Sequence, residues 1–100
     1  MTDSIARPAI TLEVAQHVLW HFGDTRLGLE PGDFWKAQLV AMTRADLQNR
    51  ALLALAFPQH VAAVDAVKMQ PWGLDWLRGI VKADLDGRER GFDFSAAVAS

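Results

Sequence analysis

The stretch from residue 51 to residue 81, ALLALAFPQHVAAVDAVKMQPWGLDWLRGIV, decides the fold because two prolines divide it into three apolar runs. A proline ring clashes with the carbonyl one turn back, so Pro58 and Pro71 each end a helix. Apolar residues recur at helical spacing on both sides of each proline. We therefore predict that the third, fourth and fifth helices of the chain cover residues 47–57, 59–69 and 72–85.

Upstream of this stretch, the sequence predicts a first helix over residues 12–22. Thr11 is a natural N-cap, because its hydroxyl can accept a free backbone N–H of the first turn. Gly23 supplies the left-handed residue that commonly ends a helix.

A loop and a second helix follow. Residues 23–33 contain three glycines and one proline, which is typical of an ordered surface loop. Pro31 suits a first helical position, so we expect the second helix over residues 32–45. Asp46 can then cap the third helix.

These elements predict an all-α fold: a compact, orthogonal bundle of about five short helices. Only residues 91–94 show the alternation of a strand, and that run is very short. We expect residues 1–87 to form one helical domain closed by Gly87. Residues 88–100 would form a C-terminal tail, partly mobile, that folds back over Trp20 or the fifth helix or docks onto a neighbouring subunit.

The composition is that of a globular chain, with 51% hydrophobic and 22% charged residues. There is no cysteine, which excludes disulfides and thiolate metal sites and fits a reducing compartment. The longest apolar region, residues 51–67, is interrupted too soon to cross a bilayer, and the N-terminus has no signal-peptide pattern. We expect a soluble cytoplasmic protein without a membrane partner.

The charge distribution argues against nucleic acid as a partner. The net charge is −2, and each half of the chain carries five basic and six acidic residues. Neither half provides the basic face that neutralises phosphates. A helix-turn-helix built on the third and fourth helices stays an alternative, but its second helix would offer DNA only His60, Asp65 and Lys68.

The helical faces predict which residues form the core. The third helix is apolar nearly all round after its first turn, so we expect it at the centre of the bundle. In the fourth helix, His60 lies on the apolar side, where a satisfied core or boundary histidine is the more common case. The predicted core faces of the first and fourth helices consist of Leu12, Val14, Ala15, Val18, Leu19 and Phe22, and of Val61, Val64 and Val67.

The fifth helix carries more apolar surface than one core contact uses. Its polar sector is narrow, and apolar side chains cover most of the rest. Either this helix is enclosed within the domain, or one stripe faces another chain. We favour Trp72, Trp76 and Ile80 as a partner surface, because tryptophan is enriched at interface hot spots.

Two other tryptophans, Trp20 and Trp35, are secondary interface candidates. Trp20 falls in the middle of the polar side of the first helix, which we also expect to carry Glu13, Gln16, His17 and His21. Another helix or the C-terminal tail covers it, or it anchors a partner.

A metal site is a further alternative. His17 and His21 are four residues apart, a spacing that lets two imidazoles reach one metal ion, and Glu13 lies one turn earlier on the same side. The HExxH pattern of zinc proteases is missing, since the sequence reads HVLWH. We therefore assign no metal or other cofactor.

Catalytic motifs are also missing from the sequence. There is no cysteine nucleophile, neither serine lies in a GxSxG turn, and no glycine-rich phosphate loop is present. We expect that the protein is not an enzyme.

The segments HFGDTRLGLEPGDFWKAQLVAMTRAD and NRALLALAFPQHVAAV resemble small uncharacterised helical proteins of high-GC Gram-positive bacteria and their phages. The resemblance covers about residues 15 to 70. It implies a helical fold and a bacterial or phage source, and no functional residue.

The sequence as a whole favours a non-catalytic interaction or assembly module that self-associates or docks onto a larger protein. The alternatives are a small nucleic-acid-associated regulator and a metal-binding protein.

Overall fold

The computed structural model describes residues 9–99 of the chain, and the side chains of residues 9–88. Within this range there is no strand, so the prediction of an all-α bundle of about five helices is confirmed. The helices are α1 (Leu12–His21), α2 (Asp33–Arg44), α3 (Leu47–Ala56), α4 (Pro58–Met69) and α5 (Gly73–Ala99).

Side-chain caps fix two of the helix starts, as predicted. The Val14 N–H donates to Thr11 Oγ1 at the start of α1, and the Asn49 N–H donates to Asp46 Oδ1 at the start of α3. Each bond satisfies a backbone donor that the first helical turn would leave free. Pro58 is the first residue of α4, and only Phe57 separates it from α3.

The end of α1 forms a Schellman motif around Gly23, whose φ is 100°. The Gly23 N–H donates to the Trp20 carbonyl, and the Asp24 N–H donates to the Leu19 carbonyl at 2.9 Å. This pair of bonds is the pattern that a left-handed glycine after a helix permits. The predicted role of Gly23 is confirmed.

The end of α5 differs from the prediction. The helix continues through Gly87 and ends at Ala99, so the predicted end at Gly87 is wrong. A glycine inside a helix costs only about 1 kcal/mol relative to alanine, and Arg88 pairs with Asp84 at 2.8 Å across the turn that contains Gly87. The predicted docking of the tail depends on side chains after residue 88, which lie outside the described residues.

The core lies between α1, α4 and α5, each of which packs against the other two, and α2 packs against α4 and α1. Short side chains on α4, Ala63 and Ala66 among them, are buried and let its neighbours approach closely. The predicted core faces of the first and fourth helices are confirmed. The buried apolar residues are Val14, Ala15, Val18, Leu19, Leu39, Met42, Val61, Ala63, Val64, Ala66, Leu77 and Val81.

The close contact between α4 and α5 requires a glycine at position 73. A Cβ on Gly73 would clash with the Ala66 carbonyl group and with the Val67 Cα. The missing side chain therefore lets the first turn of α5 lie directly on the backbone of α4.

Helix α3 is not central, and that prediction is wrong. It packs substantially only on α4, and none of its residues is buried. Leu47, Leu52 and Leu55 are 75%, 57% and 83% exposed. The central position belongs to α4, whose alanines and valines accept neighbours on several sides.

Candidate docking surface

The surface of α3 that points away from α4 is apolar and open to solvent. Arg50, Leu53 and Ala54 are partly buried, and they mark the side that faces α4. The opposite side is exposed along the whole helix. We call this side the α3 outer face, and it consists of Leu47, Gln48, Ala51, Leu52, Leu55 and Ala56.

The α3 outer face carries no charge. Arg50 is the only charged residue of the helix. Its Nε lies 3.3 Å from Asp65 Oδ1 on α4, and both side chains are largely shielded from water. Three exposed leucines without a nearby charged side chain on the same helix form the kind of surface that marks an interaction site.

A groove between α2 and α3 adjoins the outer face. Its volume is about 430 Å³. Apolar side chains supply most of its walls, and Arg44 and Asn49 add polar groups. It is lined by Ala41, Arg44, Ala45, Asn49, Leu52 and Leu53. Because Leu52 belongs both to this groove and to the outer face, the two form one continuous surface.

An aromatic cluster fixes the corner between α3 and α4. The indole of Trp35 stacks on the His60 ring, with centroids 4.0 Å apart and planes inclined by 5°. Trp35 also meets Phe57 edge-on at 5.1 Å, and Phe34 meets Phe57 at 6.2 Å. These rings connect the start of α2 to the corner, which holds α3 in place beside the groove.

The residues of the predicted α5 stripe pack largely against other parts of the same domain. Trp76 and Ile80 are partly buried and pack against the core, next to the fully buried Leu77. Trp72 is partly buried and meets Trp76 edge-on at 5.5 Å. Internal packing therefore covers a good part of the stripe, and its contact with a partner stays a prediction.

The secondary candidates are also partly covered. The Lys36 Nζ lies 5.3 Å from the centre of a Trp20 ring, and Lys36 also pairs with Glu30. Gly28 brings the α1–α2 loop against the backbone of Trp20, where a Cβ would clash. Trp35 belongs to the aromatic cluster. Neither indole ring is fully enclosed.

The histidines do not assemble in the way that the metal hypothesis requires. His17 was predicted on the solvated face of the first helix, but it is buried, and its ring centre lies 6.5 Å from that of His60. His21 points elsewhere, and its Nε2 lies 2.9 Å from Thr43 Oγ1. Among the described residues, no group of three or more ligand side chains is arranged to hold a metal ion.

His17 and His60 each leave one buried ring nitrogen without a hydrogen bond, Nδ1 and Nε2 respectively. Burial lowers the pKa of His60, and the proximity of His17 lowers it further, while Glu13 acts in the opposite direction. Burial also lowers the pKa of His21. The lowered pKa favours the neutral form of His60, because a positive charge on this partly buried ring would lose solvation.

The α1–α2 loop is organised around Asp24. Its Oδ1 accepts the backbone N–H groups of Arg26 and Leu27, and its Oδ2 accepts Arg78 Nε at 2.8 Å. The bond from Arg78 is the main reason that the pKa of Asp24 is lowered. A cleft of about 420 Å³ beside this loop is lined by Arg26, Arg78 and Lys82 among others, but Arg78 is already bonded to Asp24 and Asp75.

The residues that a helix-turn-helix would present to DNA are engaged within the fold. Lys68 Nζ donates to the Thr43 carbonyl at 2.6 Å, near the end of α2. Asp65 pairs with Arg50, and His60 stacks on Trp35. Lys68, the only fixed positive charge that α4 would offer to DNA, is therefore already hydrogen-bonded to a backbone carbonyl.

Sequence reasoning missed the exposure of the α3 leucines. The signal was present, because residues 47–56 combine four leucines with a single charge. That pattern was interpreted as central burial, since a helix that is apolar all round is usually buried. Periodicity alone does not say whether the covering surface belongs to the same chain.

No protein-family model, curated protein or solved structure matches this chain. Within the part of the chain that the structure describes, no helix has both the length and the apolar character needed to span a membrane.

Proposed function

We propose that the protein is a non-catalytic interaction module, and that the α3 outer face and the adjoining groove dock an apolar helix of a protein partner. The observation that carries this proposal is the exposure of Leu52 and Leu55 on a helix that packs substantially only on α4. A helix laid into such a groove presents apolar residues at a spacing of three to four.

The leucines supply enough apolar surface for a specific, moderate affinity. Burying one leucine side chain fully is worth roughly 1.5–3 kcal/mol. Association costs several kcal/mol in lost freedom of motion. Three leucines and the groove therefore support binding in about the micromolar range, and tight binding would need further contacts.

The α5 stripe of Trp72, Trp76 and Ile80 takes a smaller part in this proposal. Its residues keep some exposure, so they are available as an additional contact for a partner. The lack of cysteine and the resemblance to bacterial and phage proteins support a cytoplasmic setting in such a source.

The docking surface can be tested with a displayed library of amphipathic helical peptides. Peptides are selected on the wild-type chain, and their affinities are then measured for Leu55→Glu and for the control Leu85→Glu. Leu85 is a suitable control, because it is an exposed leucine on a different helix, α5. We expect Leu55→Glu to weaken binding by at least about tenfold, since it places a charge in an apolar interface.

The proposal predicts that Leu85→Glu leaves these affinities nearly unchanged. Peptides that bind both variants as well as the wild type would contradict the proposed surface. Selective loss with Leu85→Glu would instead assign docking to α5.

A further inference from the structure

We infer that the partner of the α3 outer face is a second copy of this chain, and that the two copies pair through antiparallel α3 helices that cross at Ala51. This inference rests on the proposed function, because it names the occupant of the same surface. Three features of α3 carry it: the order of large and small side chains, the absence of charge, and the amount of surface available.

The outer face is self-complementary in shape. Leu47, Ala51 and Leu55 are spaced by four residues and form one ridge. A twofold axis at Ala51 places Leu47 of one copy opposite Leu55 of the other. The small alanine lies at the crossing point, where two helix backbones must approach most closely. All three residues are exposed, so no rearrangement of the fold is required.

The charge distribution suits an identical partner. Across a twofold axis, each residue near the axis meets its own copy. A charge at that position would meet a like charge, which is destabilising. The outer face avoids this problem, since Arg50, the only charged residue of α3, is turned towards Asp65 on α4.

The available area predicts a weak dimer. A stable interface of standard size buries about 800 Å² on each partner. A helix of ten residues is about 15 Å long, and a pair of such helices covers less than that area. We therefore expect a dissociation constant in about the micromolar range.

Disulfide trapping tests the geometry directly, because the chain has no cysteine of its own. Ala51→Cys places two thiols next to each other at the proposed crossing point. Lys82→Cys, at an exposed position of α5, is the control. Under mild oxidation at a concentration of about 100 μM, we expect Ala51→Cys to form a covalent dimer at least about tenfold faster than Lys82→Cys.

Sedimentation velocity over a concentration series tests the association itself. We expect the wild-type chain to shift from monomer to dimer, Leu55→Glu to raise the dissociation constant at least about tenfold, and Leu85→Glu to change it little. A chain that stays monomeric to about 1 mM would overturn the inference. A dimer that is trapped by Lys82→Cys and not by Ala51→Cys would overturn it too.

If no dimer forms, thiol labelling of Ala51→Cys shows whether only the second-copy inference is wrong or the proposed docking surface is wrong as well. If the chain is monomeric and the thiol reacts as freely as in the unfolded chain, the outer face is open and takes a different partner. In that case only the second-copy inference is wrong. If the chain is monomeric and the thiol is protected, the face is covered within one chain and both proposals are wrong.

Discussion

Helices α3 and α5 have similar apolar patterns, but the fold uses them in opposite ways. Helix α3 has one charged residue in ten, and the first ten residues of α5 have three, which share a narrow polar sector. Helix α5 buries Leu77 and Val81 between α1 and α4. Helix α3 buries none of its side chains and leaves three leucines exposed. An apolar pattern indicates that a helix surface is suited to burial. It does not indicate whether the same chain or another chain covers that surface.

The difference arises from the fit of each helix to α4. Gly73 lets α5 lie directly on the backbone at Ala66, and α1 covers α5 from another side. On α3, the residues that meet α4 are Arg50, Leu53 and Ala54, so only one leucine of the helix faces the bundle. The other three leucines point away from it.

The largest expected effect is on the free energy of unfolding, when the same leucine-to-alanine substitution is made in α5 and in α3. Leu77→Ala removes a fully buried side chain and leaves a cavity, so we expect a loss of about 2–5 kcal/mol in the free energy of unfolding. Leu55→Ala removes an exposed side chain, and we expect a change within about 0.5 kcal/mol. Urea denaturation of both variants at low protein concentration measures this difference. Equal losses would mean that α3 is packed inside the domain.

A second pair of variants tests the close approach of α5 to α4. Gly73→Ala introduces a clash with the backbone of α4 and should cost about 1–3 kcal/mol. Gly79→Ala adds a Cβ that meets open space in the same helix, so it should stabilise the chain by about 0.5–1 kcal/mol. Thermal unfolding followed by circular dichroism distinguishes the two. Stabilisation by both substitutions would show that the contact is looser than described.

The smallest of these effects concerns pH and the corner that holds α3. Because burial lowers the pKa of His60 below its ordinary value of 6.5, the unfolded chain binds more protons than the folded chain as the pH falls below that value. The free energy of unfolding should therefore decrease as the pH falls from about 6.5 through the folded-state pKa.

The variant His60→Gln should flatten this pH dependence, since one of the histidines with a lowered pKa is removed. His21→Gln, at the other histidine whose pKa burial lowers, should also flatten the slope, so the double variant should be flatter than either single variant. Urea midpoints at several pH values between about 5 and 8 give the slopes. An unchanged slope in His60→Gln would mean that His60 does not contribute to the pH dependence.

The positions of the helices along the chain were predicted better than the way in which the helices pack against one another. Thr11, Gly23 and Pro58 act on the backbone within one helical turn, so their effects can be predicted from the local sequence. The positions of α3 and His17 were wrong, because both depend on packing between distant segments. Gly87 was interpreted as a helix end, but a glycine ends a helix only where the backbone turns left-handed. Among the described residues, Gly23 alone has a positive φ.

The open outer face of α3 is tested most directly by comparing thiol reactivity in two single-cysteine variants, Leu55→Cys and Val81→Cys, at a concentration where the chain is monomeric. We predict that Leu55→Cys reacts nearly as fast as the unfolded chain. Val81→Cys should react at least about 100-fold more slowly, because its side chain is reached only when the bundle opens. Equal protection at the two positions would contradict the account.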